Sequence, residues 1–345
     1  MKIGVQHRKG NFSDYWVNYL NEKNIPYKLI NCYDNDIVEQ LHDCDIVMWH
    51  HHHANYRDVL FAKGLLFSLQ QAGKVVFPDF NTGWHFNDKV GQKYLLESIA
   101  APVVPSYVFY EKEAAIVWAK TTTFPKVFKL RGGAGAGNVR LIRSEAEAIT
   151  LINKSFGAGF SPYNKWQGLA DRVNKYRYGK ATLKNVFGGI ARIIKPKEYE
   201  RMARLEKGYF YVQDFIDNND SDIRVVVIGN KAFAIKRMVR QNDFRASGSG
   251  NIVYGKENFD NETLSLSFNV AKKLKSQCCA FDFVYDKHKK PLIVEISFGF
   301  TPVGYTNCVG YWNTELEFFE GPFNPYTWIV DDLISTYKQQ AGTAE

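Results

Sequence analysis

Four short apolar runs separated by helical patterns fill the first hundred residues, and no other feature narrows the fold of this chain as far. Residues 2–6, 27–31, 45–49 and 74–77 read as strands. Phe12, Tyr15, Trp16, Tyr19 and Leu20 recur at helical spacing, and 36–41 and 56–71 are helical in pattern. Strands that alternate with helices imply a parallel sheet with helices on its faces. A dinucleotide site at the first strand is not expected. The segment HRKGNFSD that follows it holds one glycine where the dinucleotide fingerprint needs three.

A helix opens at Asn87-Asp88-Lys89, with Asp88 in its first turn, and Pro102 and Pro105 close it. A second region follows, with strands over 106–110, 125–130 and 138–142 and helices over 111–120 and 144–154. The stretch 155–207 reads as an insertion, its tail 196–207 helical in pattern. From 209 onward the chain is strand-rich: 209–216, 222–229, 231–239, 280–285 and 291–296, with one helix over 262–275. The expected fold is therefore α/β and α+β. An N-terminal parallel-sheet domain spans 1–100, a central lobe 101–210 and a C-terminal lobe 211–335.

The 345-residue length suits two or three such domains. Five cysteines with no CxxC spacing argue against a disulfide framework and a four-cysteine zinc site. Cys278-Cys279 reads as core packing. The N-terminal MKIGVQHRKG lacks the apolar stretch of a signal peptide, and no apolar run reaches the ~20 residues of a membrane span. A cytoplasmic location is expected. Net charge is +8, and residues 154–207 alone hold thirteen Lys/Arg against four Asp/Glu, an excess of +9. The remainder is near neutral, at −1. Such a localised excess is a solvated face or the mark of a local anionic partner. Tyr163, Trp166, Tyr176 and Tyr178 within it keep nucleic acid open as the weakest option.

Chemistry concentrates in a few places. The turn Arg131-Gly132-Gly133-Ala134-Gly135-Ala136-Gly137-Asn138 lies between two strand patterns. It is no Walker A loop, since Asn138-Val139 stands where Lys-Ser/Thr is needed. It reads as a hairpin lid with Lys129 at its base, or equally as a mobile hairpin without a ligand. Asp282 and Glu295 are sharper. With a four-residue loop at 287–290, Asp286 faces Pro291, Val284 faces Ile293 and Asp282 faces Glu295. Directly opposed carboxylates are destabilising unless a cation sits between them, and magnesium favours such oxygens. Asp222 with Arg224, and Asp243 with Arg245, each share a face if their segments are strands. The run His50–His53 ends a strand; it reads as a polar loop, with a substrate-facing or metal-binding loop as the alternative.

Taken in order, these pieces resemble the ATP-grasp superfamily, most closely its RimK-like and glutathione-synthetase-like ligases. The residues that carry the resemblance are NDKVGQKYLLE at 87–97, FPKVFKLRGGAGAGNVRLI at 124–142 and YVQDFI at 211–216. SDIRVVVIGNKAFAIKR at 221–237, NDFRASG at 242–248, AFDFVYD at 280–286 and LIVEIS at 292–297 complete the series. The resemblance covers roughly 87–300. It implies that the first region is the partner domain that precedes a two-lobed ATP-grasp fold.

The resemblance also implies roles. Lys129, with Lys89 or Lys93 as its partner lysine, and the turn glycines Gly132, Gly133, Gly135 and Gly137 would meet the phosphates of ATP. Asp214, Phe215 and Ile216 would form the adenine hinge, and Asp222 would lie near the ribose. Arg237 and Arg245 would be the catalytic, phosphate- or substrate-facing arginines. Asp282, Glu295 and Ser297 would hold Mg2+, or Mn2+ in its place. The family's last metal motif is usually Glu-x-Asn, so Ser297 is a departure, as is Arg245-Ala246-Ser247 where Arg-Ser-Asn often stands. The implied activity is ADP-forming carboxylate–amine ligation through an acyl phosphate, on small carboxylate and amine substrates, anionic or sugar-linked, with a homodimer left open. The alternatives are an ATP-grasp phosphotransferase acting on a stable acceptor and a nucleotide-binding module without turnover. Tyr305, Tyr311 and Trp312, just beyond the metal motif, are candidates to line an acceptor pocket.

Overall fold

The computed structural model describes residues 1–132, 138–162, 169, 173, 176, 182–194, 202, 204–239, 243–246 and 250–342. Gly133, Gly135, Gly137 and nearly half of the basic insertion fall outside them. The chain divides into two compact units. One is Met1–Phe86 with Leu96–Pro102 and Asn218–Glu345; the other is Asn87–Leu95 with Val103–Asp217.

In the first unit, β1 (Ile3–Gln6), β2 (Tyr27–Ile30), β3 (Ile46–Met48) and β4 (Val75–Phe77) form a parallel sheet in the order β2-β1-β3-β4. The helices α1 (Phe12–Glu22), α2 (Ile37–Gln40) and α3 (Tyr56–Gln71) are its crossovers. Phe12, Trp16 and Leu20 fall on one face of α1 and are fully buried, as the spacing predicts. Because β2 lies on one side of β1 and β3 on the other, the strand order reverses between β1 and β3.

The same unit holds an antiparallel sheet, β13-β12-β9-β10-β14-β15. Its strands are β9 (Ser221–Ile228), β10 (Lys231–Met238), β12 (Cys278–Tyr285), β13 (Pro291–Ser297), β14 (Gly310–Asn313) and β15 (Phe318–Glu320), and β11 (Ile252–Val253) pairs with β10. A helix, Asn261–Leu274, packs on β9 and β12, capped by Asp260 Oδ1 accepting from Thr263 N at 2.7 Å. The C-terminal helix, Pro325–Gly342, returns against α1, β3, β4 and β9. One core therefore joins Ile3, Val5 and Met48 to Val226, Phe233 and Ala280, with Tyr326 and Val330 of that helix. The tail beyond 297, whose strands and helix the sequence pattern did not reveal, is what builds this core.

In the second unit, β5 (Ser106–Phe109), β8 (Phe210–Asp214), β6 (Lys126–Phe128) and β7 (Arg140–Ile142) form an antiparallel sheet in that order. α6 (Lys112–Thr121) and α7 (Glu145–Phe156) cover it with Ala115, Ala119, Ala148 and Ile152. Ser144 and Glu147 cap α7 reciprocally, Ser144 Oγ accepting from Glu147 N at 3.3 Å and Glu147 Oε2 from Arg143 N at 2.8 Å. The helix expected over 196–207 lies mostly outside the described residues. Its described end is not helical, because Glu206 bridges to Phe160.

Candidate functional site

One face of the antiparallel sheet changes character along its strands. On β9 the residues Ile228 and Val226 are core, and Arg224 and Asp222 follow. On β10 the series is Phe233, Ile235, then Arg237, and on β12 it is Cys278, Ala280, then Asp282. The antiparallel register brings the charged ends together: Asp282 lies across from Arg224, and Arg237 across from Asp222. Arg224 Nη2 donates to Asp282 Oδ2 at 2.6 Å, and its Nε donates to Oδ1. Arg237 grips Asp222 with Nε and Nη2 at 2.6 and 2.7 Å, and its Nη2 also stands 3.0 Å from Asp282 Oδ2. Burial opposes ionisation of Asp282, but Arg224 and Arg237 outweigh it and hold the carboxyl well below the usual range. Burial pushes Asp222 upward, against the pull of Arg237.

Glu295 lies directly across from Asp282, as the sequence predicts, but the hairpin reaches that pairing by another route. Tyr285, not Asp286, faces Pro291, and Phe283, not Val284, faces Ile293. Asp286 is taken up by the turn, its Oδ1 accepting from His288 N and Lys290 N, both at 2.8 Å, with Lys289 in the left-handed region at φ 62°. The loop is thus one residue longer than expected, and a bulge at Val294 restores the register beyond it. Ser297 is on the same face two residues further on. Its hydroxyl donates to Gly299 O at 3.0 Å and accepts from Gly299 N at 3.1 Å.

The strand alternation expected at 243–245 does not hold. Asp243 and Arg245 lie in a loop and bind each other, Arg245 Nη2 donating to Asp243 Oδ2 at 2.6 Å. Tyr305 is buried in the aromatic core, 5.3 Å from Phe233 and 5.1 Å from Phe300 between ring centres. Tyr311 and Trp312 are on β14, against Phe319 and Phe318 respectively.

Asp282, Glu295 and Ser297 present oxygen donors alone, which suits a hard divalent cation. Asp282 receives three guanidinium N–H contacts. A carboxylate has about four lone-pair sites, so one on Oδ1 stays open. The cluster of Asp222, Asp282, Glu295, Arg224 and Arg237 sums to −1, a charge that favours a cation. Among the described residues no group of three His, Cys, Asp or Glu side chains gathers as a metal site. A cation here would rest on two carboxylates and a hydroxyl.

The second unit carries buried lysines. Lys129 Nζ donates to Gln213 Oε1 at 2.5 Å, and Gln213 Nε2 in turn donates to Ser106 Oγ at 3.0 Å. Lys126 pairs with Asp214 at 2.6 Å, which anchors Asp214 at the end of β8, with Phe215 and Ile216 just beyond. Lys89 is buried at the start of α5 (Lys89–Ser98), its amide donating to Arg131 O at 2.9 Å. Asp88 caps that helix through Gly91 N at 2.9 Å and meets Arg131 at 3.4 Å. Lys93 lies over the Tyr94 ring at 5.1 Å. Gly132 begins the glycine turn beside Asn87.

Sequence reasoning did not single out Lys126, Gln213 or the clamp by Arg224. The pattern Asp222-x-Arg224 was a signal for the last, but its partner on β12 emerges only from the three-strand register. Nor did it favour His50 and His51, which are 7% and 3% exposed. The loop after β3 is not a solvated polar turn but a fixed one. Asp58 accepts from Tyr33 Oη at 2.5 Å and from His52 N at 2.7 Å.

A parallel sheet and two antiparallel sheets are also the elements of solved ATP-grasp proteins, whose fold this chain shares. Residues 167–305, fewer than half, match the family model of the RimK-like ATP-grasp domain. The RimK domain protein ATP-grasp from Sphaerobacter thermophilus superposes with a TM-score of 0.55 at 13% identity, over 97% of this chain and 99% of its own. D-alanine–D-alanine ligase from Bacillus anthracis, solved with ATP, gives 0.55 at 12%, over 99% of each chain. The ATP-grasp ligase PsnB, solved with minimal precursor, Mg and ADP, gives 0.52 at 12%, over 98% of each. At such identity the likeness is one of fold. No curated protein sequence matches the chain. Among the described residues no helix is long and apolar enough to cross a membrane.

Proposed function

We propose that this chain is an ATP-dependent carboxylate–amine ligase that forms an amide through an acyl phosphate. The observation that carries the reading is the direct opposition of Glu295 and Asp282, the latter buried and bound by two guanidinium groups. Opposed carboxylates cost stability in a plain structural sheet, and a cation–phosphate site supplies a reason for them. The fold shared with ATP-grasp ligases supports it further.

In this reading a substrate carboxylate oxygen attacks the γ-phosphorus of ATP, and ADP leaves. An amine nitrogen then attacks the acyl carbon, the C–O bond to phosphate breaks, and the amide forms. The protein acts by positioning and by offsetting charge. Magnesium, when bound, supplies charge neutralisation at the phosphates, and Asp282, Glu295 and Ser297 are the residues that would hold it. Arg237 and Arg245 orient phosphate or substrate oxygens, and Arg224 fixes Asp282 in its ionised form. Lys89, Lys93 and Lys129, with the glycines of the turn, meet phosphate oxygens. Asp214, Phe215 and Ile216 hold adenine, and Asp222 lies toward the ribose. The basic segment points to an anionic substrate, a reading that fails if neutralising Lys175, Arg177 and Lys180 leaves KM unchanged. A screen for ADP release over pooled carboxylates and amines, with Glu295→Gln as blank, tests the assignment. Release that depends on both pools supports it; release with hydroxyl acceptors alone overturns it.

A further inference from the structure

The parallel sheet reverses its strand order between β1 and β3, and two side chains from the ends of those strands meet there. Asn11, in the segment after β1, places Oδ1 2.7 Å from Nδ1 of His50, in the segment after β3. In open parallel sheets the C-terminal ends of strands at such a reversal are where ligands bind. The His50 ring is stacked on Phe12 with centroids 3.7 Å apart. With Nδ1 donating to Asn11, Nε2 is the bare nitrogen. It looks at Gly299: a Cβ at that position would stand 3.2 Å from Nε2 and 3.5 Å from the Phe86 ring. A side chain there would crowd the nitrogen, so Gly299 is what leaves it uncovered on that side. The neighbouring His51, 5.0 Å from Phe298 between ring centres, buries an Nε2 with no hydrogen-bond partner. A buried polar atom left in that state is costly and calls for a reason. Gly299 is four residues past Glu295, at most about 14 Å along an extended chain.

We infer that His50 and His51, above Phe298-Gly299, form the amine-side subsite, in which Nε2 of His50 takes the proton released when the amine attacks. The inference rests on the ligase reading. The nitrogen attacks the acyl carbon, and the C–O bond breaks with its electron pair leaving on phosphate. One N–H proton passes to Nε2, giving an imidazolium that later returns it to solvent. The N–H of the cationic tetrahedral adduct is far more acidic than that of a free ammonium, so a weak base suffices. Burial first, then the charges of His51, His52, Arg8 and His53, hold His50 neutral. His51, packed between Phe86 and Phe298, fixes the loop that carries His50. The base-and-orienter arrangement, imidazole Nε2 with Nδ1 fixed by a side-chain oxygen, is the geometry that general-base catalysis needs.

Two measurements decide it. His50→Asn keeps a donor for Asn11 and deletes Nε2. The full-length enzyme and this variant are assayed with Mg-ATP, the twenty amino acids and C4–C6 dicarboxylates, using either those amino acids or hydroxylamine as nucleophile. Hydroxylamine is a weakly basic nucleophile, and its more acidic adduct loses the proton readily to water without a protein base. Amide formation is expected to fall ~10²–10⁴-fold, the usual scale for a lost general base, and hydroxamate formation far less. An equal fall in both, or no fall in amide, overturns the role of His50. Wild-type enzyme that makes neither product refutes the ligase reading instead. Independently of any substrate, two-bond 15N–1H correlation on histidine-labelled wild type reads the tautomer. A neutral His50 protonated at Nδ1 is expected, and an Nε2-protonated or cationic ring overturns the inference.

Discussion

Glu295 faces Asp282 because Val294 is bulged out of β13. In an unbroken ladder continuing from the turn, Val294 would face Asp282 and Glu295 would face Phe281, a residue on the opposite side of the sheet. The bulge thus re-aims an acidic side chain toward the charged face, a common role for bulges next to functional sites.

The pairing predicts that Glu295→Gln abolishes turnover while leaving the fold intact. Glu295 lies at the edge strand of the sheet and is only half-buried. ADP release should drop by roughly two orders of magnitude or more, the scale seen when one preorganised electrostatic group is removed. Circular dichroism and thermal melting should match the wild type.

Asp282→Ala should behave differently. It strands Arg224 and Arg237, whose side chains are 21% and 8% exposed, without one of their anions. Removing one member of a buried ion pair typically costs ~3–5 kcal/mol. Denaturant titration should show a loss of that order, and Arg237→Met combined with Asp282→Ala should recover part of it.

About half of this was readable in the sequence. Alternation placed the parallel sheet, and the opposed carboxylates followed from strand spacing. The turn register did not, because Asp286 side-chain bonds lengthen the loop by one residue and only the bulge cancels the error. The Arg224–Asp282 bond was hidden for another reason: it joins strands 58 residues apart, and no local period reports which strands neighbour each other. The histidine run reads as polar by composition, yet Phe12, Phe86 and Phe298 bury it from distant parts of the chain.

Lys129 gives a binding test. Its ammonium is buried on a neutral amide, Gln213 Oε1, at the end of β6. A hydrogen bond to a charged group is worth ~1.5–3 kcal/mol, about 10–100-fold in affinity. Lys129→Gln should weaken ATP binding by that factor in calorimetric titration, with Glu295→Gln measured alongside.

Asp332, on the C-terminal helix, predicts a pH dependence of stability. Burial raises its pKa from the ordinary 3.8 to about 6, with Lys231 pulling the other way. A carboxyl with a raised folded-state pKa favours the fold below its unfolded value, and that contribution is lost as pH climbs through about 6. Asp332→Asn should therefore raise the melting temperature relative to wild type at pH 8, by a degree or more, and narrow or lose that advantage at pH 4.

The central claim is that a carboxylate is phosphorylated and then captured by an amine. The most direct test uses an 18O-labelled carboxylate drawn from the pools that trigger ADP release, with Mg-ATP and amine. The account predicts one 18O in each inorganic phosphate formed, and none above background with Glu295→Gln. Unlabelled phosphate released alongside labelled amide would contradict it.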